Sequence, residues 1–234
     1  MGTSKSNTGG TGGAWTDFKR DATSFAKRGG GQRIAKTLAG YVAAMGGAGA
    51  AAAAATAGSR TGQSLGALLS ASTGPNGLAG GLEAVGLGRL IGEDRFTVLS
   101  ELVSEFAGSG SDLEAQAARN ALLDVLDEIL PDDATTPLDA VQLDETAVTD
   151  ALCRYIAALI YNRAIPVIDE RLTRLENPTV AQQRDQELRQ YIDALVRLRL
   201  EGTAPLNVDW GGIAGRELID GMLRAIYDQI EEWE

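Results

Sequence analysis

The stretch YIAALIYNRAIPVI, residues 155–168, decides the fold. It is apolar nearly all round and is interrupted by Asn162 and Arg163. A helix that is apolar on every side belongs in the interior of a larger protein or in a membrane. We therefore predict a long helix from about residue 144 to 175 as the buried central helix of a bundle. Pro166 should kink it, because the proline ring clashes with the preceding turn and removes one helical hydrogen bond.

Amphipathic helices are predicted on both sides of this central helix. One runs from about residue 94 to 106, and the next begins at Ser111-Asp112-Leu113-Glu114, a capping box in which Ser111 and Glu114 satisfy the first backbone N–H groups. Asn177-Pro178 opens a later helix with a cap and a proline at the first helical position. The inner faces of these helices and of the last one carry Leu122, Val125, Leu126, Ile129, Leu130, Leu188, Tyr191, Ile192, Leu195, Ile219, Met222, Leu223, Ile226, Ile230 and Trp233. No alternating strand pattern is present, so this half predicts a bundle of about four or five helices.

Charge and glycine divide the chain into two halves. Residues 1–100 hold 10 Lys/Arg, 5 Asp/Glu and 22 Gly, whereas residues 101–234 hold 11 Lys/Arg, 27 Asp/Glu and 7 Gly. We expect an all-α protein with an irregular Gly/Ala-rich N-terminal half of short helices and a C-terminal helical bundle. The predicted division is a tail at residues 1–14, a basic segment at 15–92 and an acidic bundle at 93–234.

The net charge and the single cysteine limit the possible partners and the possible cellular compartment. The formal charge of −11 argues against generic nucleic-acid binding, because phosphates repel an acidic surface. Cys153 is the single cysteine, so no internal disulfide can form. Without a charged segment leading into a hydrophobic one at the start, the sequence predicts a reducing, cytoplasmic setting.

The first predicted helix, from about residue 15 to 28, has one aromatic face. Trp15, Phe18, Ala22 and Phe25 fall on a single apolar stripe, and a triple glycine follows the helix. The basic residues Lys19, Arg20, Lys27 and Arg28 lie largely off that stripe. Such a helix can lie on a membrane, bind a groove of a partner or pack on its own core, and aromatic stripes most often do the last.

Residues 37–59 contain no charged residue and are long enough to span a membrane. Alanine and glycine dominate this stretch, and their transfer from water gains too little to favour lipid. We therefore expect no stable membrane insertion. Residues 59–92 are predicted as short helical pieces broken by glycine, with a turn at 73–77.

The first residues, MGTSKSNTGGTGG, cannot build a core, because Gly, Ser, Thr and Asn bury little apolar surface. Gly2 has the smallest side chain, so removal of Met1 is expected. The α-amine exposed at Gly2 has a reference pKa near ~8 and is a usable nucleophile. The alternative is an ordinary frayed terminus.

The sequence predicts no active site. It contains no histidine, which excludes Ser-His-Asp and Cys-His nucleophile systems and His-bearing zinc sites. Cys153 lies in an apolar helical context that is typical of an inert core residue. The glycine-rich segment at 86–92 has the wrong spacing for a dinucleotide-binding fingerprint and follows no strand, and no phosphate-binding loop is present. We predict no catalytic residue, no metal site and no cofactor.

Several short motifs are concentrated within residues 1 to about 70. They are Met1-Gly2-Thr3-Ser4 with its Gly-rich continuation, Asp17-Phe18-Lys19-Arg20-Asp21-Ala22 leading to Phe25-Ala26, and Arg33 and Tyr41-Val42 before a small-residue tract. Together they resemble the QatB family of bacterial Qat anti-phage defence systems. The tract at 58–62 and the loop around Trp210 fit that family more loosely.

The resemblance implies a non-enzymatic protein encoded beside an ATPase, a QueC-like enzyme (QatC-type) and a TatD-like nuclease. QueC-type enzymes activate a carboxylated deazapurine with ATP and pass it to ammonia. A QueC-like relative could transfer the same acyl group to a protein amine, which by position would be Gly2. The modification would then be an amide-linked 7-deazaguanine. The predicted partner contacts are Thr3, Ser4, Trp15, Phe18, Lys19, Arg20 and Phe25.

Two other functions stay open. The pattern Met1-Gly2-x-x-x-Ser6 also fits N-myristoylation, which would make the chain a lipid-anchored adaptor. The uncharged stretch at 37–59 could instead serve a membrane-associating effector.

Overall fold

The computed structural model of the protein describes residues 12–131, 137–175, 177–202 and 208–233. The longest helix in these ranges is the predicted central helix. The described residues form ten α-helices and no strand, which confirms the all-α prediction. The helices are α1 (Gly12–Arg28), α2 (Gly31–Ala44), α3 (Ala48–Ala54), α4 (Thr56–Ala71), α5 (Gly77–Ala84), α6 (Arg95–Ala107), α7 (Leu113–Ile129), α8 (Glu145–Leu172), α9 (Pro178–Arg199) and α10 (Ile213–Glu231). Short 3₁₀ turns lie at Gly88–Leu90 and Leu138–Ala140.

Helix α8 passes through the middle of the bundle. It begins at a cap in which the Asp144 carboxylate accepts a 2.8 Å hydrogen bond from the backbone N–H of Ala147. It continues through Pro166 and ends at Leu172. Helices α1, α4, α7 and α9 pack around it, so apolar residues on all its sides are buried, as the sequence pattern predicts.

The helix starts follow the sequence signals, with one correction at α7. Asn177 caps α9 as predicted, accepting a 3.0 Å bond from the N–H of Thr179. At α7 the cap is Asp112, not Ser111, and its carboxylate accepts a 2.8 Å bond from the N–H of Ala115. The predicted capping box is therefore wrong. The helix begins one residue later than the box requires, which turns Glu114 away from the cap and toward the core.

The prediction of short helical pieces broken by glycine is wrong for helix α4. It is one continuous helix of 16 residues through Gly58, Gly62 and Gly66. These glycines recur every fourth residue on a buried face, and an added Cβ would meet a neighbouring side chain at each of them. Close packing at this face offsets the entropic cost of glycine within a helix.

Both halves of the sequence contribute to one hydrophobic core. Phe18 and Phe25 from α1 belong to the same buried cluster as Leu65 of α4, Leu126 of α7 and Ile226 of α10. Helix α1 packs on α2 and α8, and α3 packs on α10. The aromatic stripe of α1 thus packs on the chain's own core.

The uncharged stretch at 37–59 is divided among three helices. Helices α2 and α3 meet at a bend of 73°. Within the described residues, Glu145–Leu172 is the one continuous helix long and apolar enough to cross a membrane, and the bent pair α2 and α3 would add a second if counted together. Within Glu145–Leu172, 67% of the most apolar window is buried inside the protein, as is usual for a core helix.

Candidate functional site

Helix α1 connects the predicted modification site to the folded body. Gly2, Thr3 and Ser4 lie outside the described residues, which begin at Gly12. Gly12 and Gly13, the first residues of α1, are exposed, and a Cβ added at either would meet no atom within 4 Å. Helix α1 therefore begins at an open, exposed end.

The predicted contact residues of α1 divide by exposure. Phe18 and Phe25 are completely buried in the core, so they offer no surface to a partner in this structure. Trp15 is half-buried, with its ring centroid 5.8 Å from that of Phe18. Lys19 and Arg20 are exposed. The prediction of partner contacts on α1 therefore depends on Trp15, Lys19 and Arg20.

A groove of about 720 Å³ lies beside α1. Its floor is made of small residues of α2, including Gly31, Ala35 and Ala39. One wall carries Tyr191 and Trp233, whose rings meet edge to face with centroids 5.8 Å apart. The other wall is a face of α1 that contains Ala14, Asp17, Arg20 and Asp21.

Four charged residues line this groove. Asp17 forms a close ion pair with Arg20, in which Oδ1 of Asp17 lies 2.7 Å from Nη1 of Arg20. Asp21 is nearly buried, with 8% of its surface exposed. Its Oδ1 lies 3.6 Å from Nε of Arg20 and 3.5 Å from Nζ of Lys36. Both distances exceed the ~2.7–2.9 Å of a charge-assisted hydrogen bond, so this carboxylate retains acceptor capacity.

Arg163 forms a second polar centre, inside the core, that sequence reasoning did not assemble. Its Nε lies 3.0 Å from Oε1 and 2.8 Å from Oε2 of Glu114. Its Nη2 donates a 2.9 Å hydrogen bond to the carbonyl oxygen of Ala51, and its Nη1 donates to the Tyr227 hydroxyl. One guanidinium thus joins α3, α7, α8 and α10. The available signal in the sequence is that Arg163 interrupts the apolar stretch of α8. The sequence pattern assigned its partner Glu114 to a helix cap instead.

The tyrosines and the cysteine of the core are held neutral by burial. Burial raises the pKa of Tyr227 and of Tyr41, both close to Arg163, above the ordinary value. Burial likewise raises the pKa of the Cys153 thiol, which is 4% exposed. A buried thiol with a raised pKa holds little thiolate and is a poor nucleophile. Among the described residues, no group of three or more Cys, Asp or Glu side chains is arranged to hold a metal ion.

Comparison with known proteins gives one match. A sequence model of the family described as "Qat anti-phage system associated protein QatB" matches residues 46–230. No curated protein and no solved structure matches the chain. The matched region begins within the bend between α2 and α3 and extends through the acidic half to the end of α10. The expectation that the likeness lies mainly in residues 1 to about 70 is therefore wrong in extent, because the helical bundle itself carries the match. The chain belongs to the QatB family, the Qat anti-phage system associated proteins.

Proposed function

We propose that this component of a Qat anti-phage system presents its processed N-terminus, with Gly2 first, as the protein substrate of a QueC-like enzyme. Membership in the family implies partners within the same system. The product is an amide-linked 7-deazaguanine on the α-amine of Gly2. The protein works in the cytoplasm and contributes an acceptor and binding surfaces, while its partners carry out the catalysis.

The observation that carries this proposal is the open start of α1. Phe18 and Phe25 hold α1 in the core, whereas Gly12 and Gly13 at its beginning are exposed and uncrowded. A segment of Gly, Ser, Thr, Asn and one Lys precedes this fixed point. Such a composition behaves as a flexible tether, so it can carry an amine from a rigid body into the active site of another protein.

The chemistry needs only an unprotonated amine from this chain. The α-nitrogen of Gly2 attacks the activated carbonyl carbon, a C–N bond forms, the bond to the ATP-derived leaving group breaks, and the amine loses a proton. An α-amine with a pKa near ~8 is partly unprotonated at neutral pH, whereas a lysine amine with a pKa near ~10.4 is almost fully protonated. Gly2 is therefore a better acceptor than Lys5.

The exposed residues of α1 offer the enzyme a surface next to the tether. Lys19 and Arg20 are exposed on the helix that leads to the tail, and the half-buried Trp15 lies one turn nearer to it. A basic and aromatic surface of this kind favours a partner with an acidic rim, because complementary charges speed the encounter. Holding α1 would restrict the search of the tether for the active site.

Intact mass tests the proposal. The chain is co-expressed with the cognate QueC-like enzyme as wild type, Gly2→Val, Gly2→Glu and Lys5→Arg. We expect added mass on wild type and Lys5→Arg and none on the Gly2 variants, since the attacking nitrogen must approach the carbonyl within about 3–3.5 Å and bulk beside it prevents this. Gly2→Glu also hinders removal of Met1. Undiminished modification of Gly2→Glu would overturn the proposal.

A further inference from the structure

We propose that the groove beside α1 binds the N-terminal segment of this same chain, residues 2–11. The groove is the 720 Å³ space between α1, the small-residue floor of α2, and the wall made by Tyr191 and Trp233. In this bound form the segment runs back along α1, antiparallel to the helix. The groove then controls how often the terminus is available to a partner.

The groove has an acceptor with no close donor. Asp21 is nearly buried at the groove, and its two cationic neighbours stand at 3.5 Å and 3.6 Å. This carboxylate borders the groove, so a donor that enters the groove can make a direct, charge-assisted hydrogen bond to it. An occupant rich in N–H and ammonium donors suits this position.

The N-terminal segment is such an occupant. Residues 2–11 read GTSKSNTGGT, with no acidic residue, and carry the cationic groups of Lys5 and the α-amine. Backbone N–H groups, hydroxyls and an amide supply further donors. Apart from Lys5, the side chains are small, so the backbone can approach the floor formed by Gly31, Ala35 and Ala39.

The segment is long enough and correctly attached. Along α1, Asp21 lies about 14 Å from Gly12, because a helix rises 1.5 Å per residue. Ten extended residues span at most about 33–36 Å. About half of that length is enough to reach Asp21 once the chain has reversed direction. Gly9 and Gly10, just before α1, allow that reversal because glycine adopts the backbone angles that other residues avoid.

Tryptic cleavage after Lys5 measures the docking in the chain expressed without its partners. Ala35→Phe fills the groove floor, and Asp21→Asn removes the acceptor charge. Ala53→Phe, an exposed alanine of α3, is the matched control for added bulk. Loss of the terminal peptide is followed by mass spectrometry at several protein concentrations.

We expect wild type and Ala53→Phe to lose the peptide about tenfold more slowly than Ala35→Phe, since proteolysis tracks the population of the open form. Asp21→Asn should be cleaved at an intermediate rate, and it decides the matter if Ala35→Phe does not fold. Equal rates in wild type and the groove variants would overturn the proposal. Protection that increases with protein concentration would also overturn it, because it would assign the groove to the tail of a second copy. The proposal does not depend on modification of Gly2, so either can fail alone.

Discussion

The Tyr155 hydroxyl donates a 2.7 Å hydrogen bond to the carbonyl oxygen of Gly58 and so joins the central helix α8 to α4. The two helices can approach this closely because Gly58 has no side chain: an added Cβ would lie 2.4 Å from Cδ2 of Leu159. The glycines that resemble helix breaks in the sequence are therefore contact positions in the core.

Substituting a glycine of α4 should destabilise the protein although alanine is the better helix former. At Gly66 an added Cβ would lie 2.3 Å from Cζ3 of the buried Trp210 ring. We expect Gly66→Ala to lower the free energy of unfolding by about 1–3 kcal/mol through overpacking, measured by urea denaturation.

The control is Gly221, in the interior of α10, which is exposed and has no atom within 4 Å of an added Cβ. There Gly221→Ala should stabilise by roughly 0.5–1 kcal/mol, since only helix propensity changes. If both substitutions stabilised the protein equally, the close packing of α4 would be contradicted.

Removing the buried guanidinium should be much more damaging than removing a surface one. Arg163→Met leaves Glu114 and the Tyr227 hydroxyl without their partner, and breaking a buried pair costs about 3–5 kcal/mol. Arg174→Met, which breaks an exposed pair with Glu170, should cost about 0–1 kcal/mol. Equal denaturation midpoints for the two variants would show that Arg163 does not hold the helices together.

The stability of the protein should fall steeply in alkali. All five tyrosines have a pKa raised by burial: Tyr41, Tyr155, Tyr161, Tyr191 and Tyr227. In the unfolded chain they titrate near pH ~10, so above that pH the unfolded state binds fewer protons than the folded state and stability is lost. Below pH ~10 their contribution is fully present. Tyrosinate absorbance should therefore rise together with loss of helical circular dichroism, and tyrosinate appearing in a still-folded protein would contradict this burial.

Charge reversal on α1 should separate partner binding from stability. Lys19 is exposed, so Lys19→Glu should leave unfolding within about 0.5 kcal/mol of wild type. It should slow modification by the QueC-like enzyme several-fold, with the difference shrinking at high salt as charges are screened. Phe18→Ala, by contrast, should lower the free energy of unfolding by about 3–5 kcal/mol, because it truncates a buried aromatic side chain. Arg174→Glu, with the same charge change on α8's C-terminal flank, controls for net charge and should not slow modification.

Sequence patterns predicted what is local and missed what depends on contacts between distant residues. The apolar run around Tyr155 and the cap at Asn177 are local signals, and both are found in the structure. The continuity of α4 could not be predicted, because the packing of Gly58, Gly62 and Gly66 depends on side chains about one hundred residues away or more in the chain. The Arg163–Glu114 pair was missed for the same reason, and local capping rules gave Glu114 another role.

The candidate site could likewise be predicted from the sequence only in part. The stripe of Trp15, Phe18 and Phe25 was recognised, yet which of these residues remain accessible is decided by the packing of α1 on α2 and α8. The groove wall at Tyr191 and Trp233 unites residues of α9 and the C-terminal end, which no local pattern relates to Asp21.

The central claim is that the acceptor is the α-nitrogen of Gly2, and fragmentation of the N-terminal tryptic peptide tests it most directly. The peptide Gly2-Thr3-Ser4-Lys5 from protein co-expressed with its QueC-like enzyme contains two amines and two hydroxyls. The account predicts that every fragment containing Gly2 carries the added mass and that fragments beginning at Thr3 do not. Added mass on Lys5, Thr3 or Ser4, or no added mass on any fragment when the enzyme is active, would contradict it.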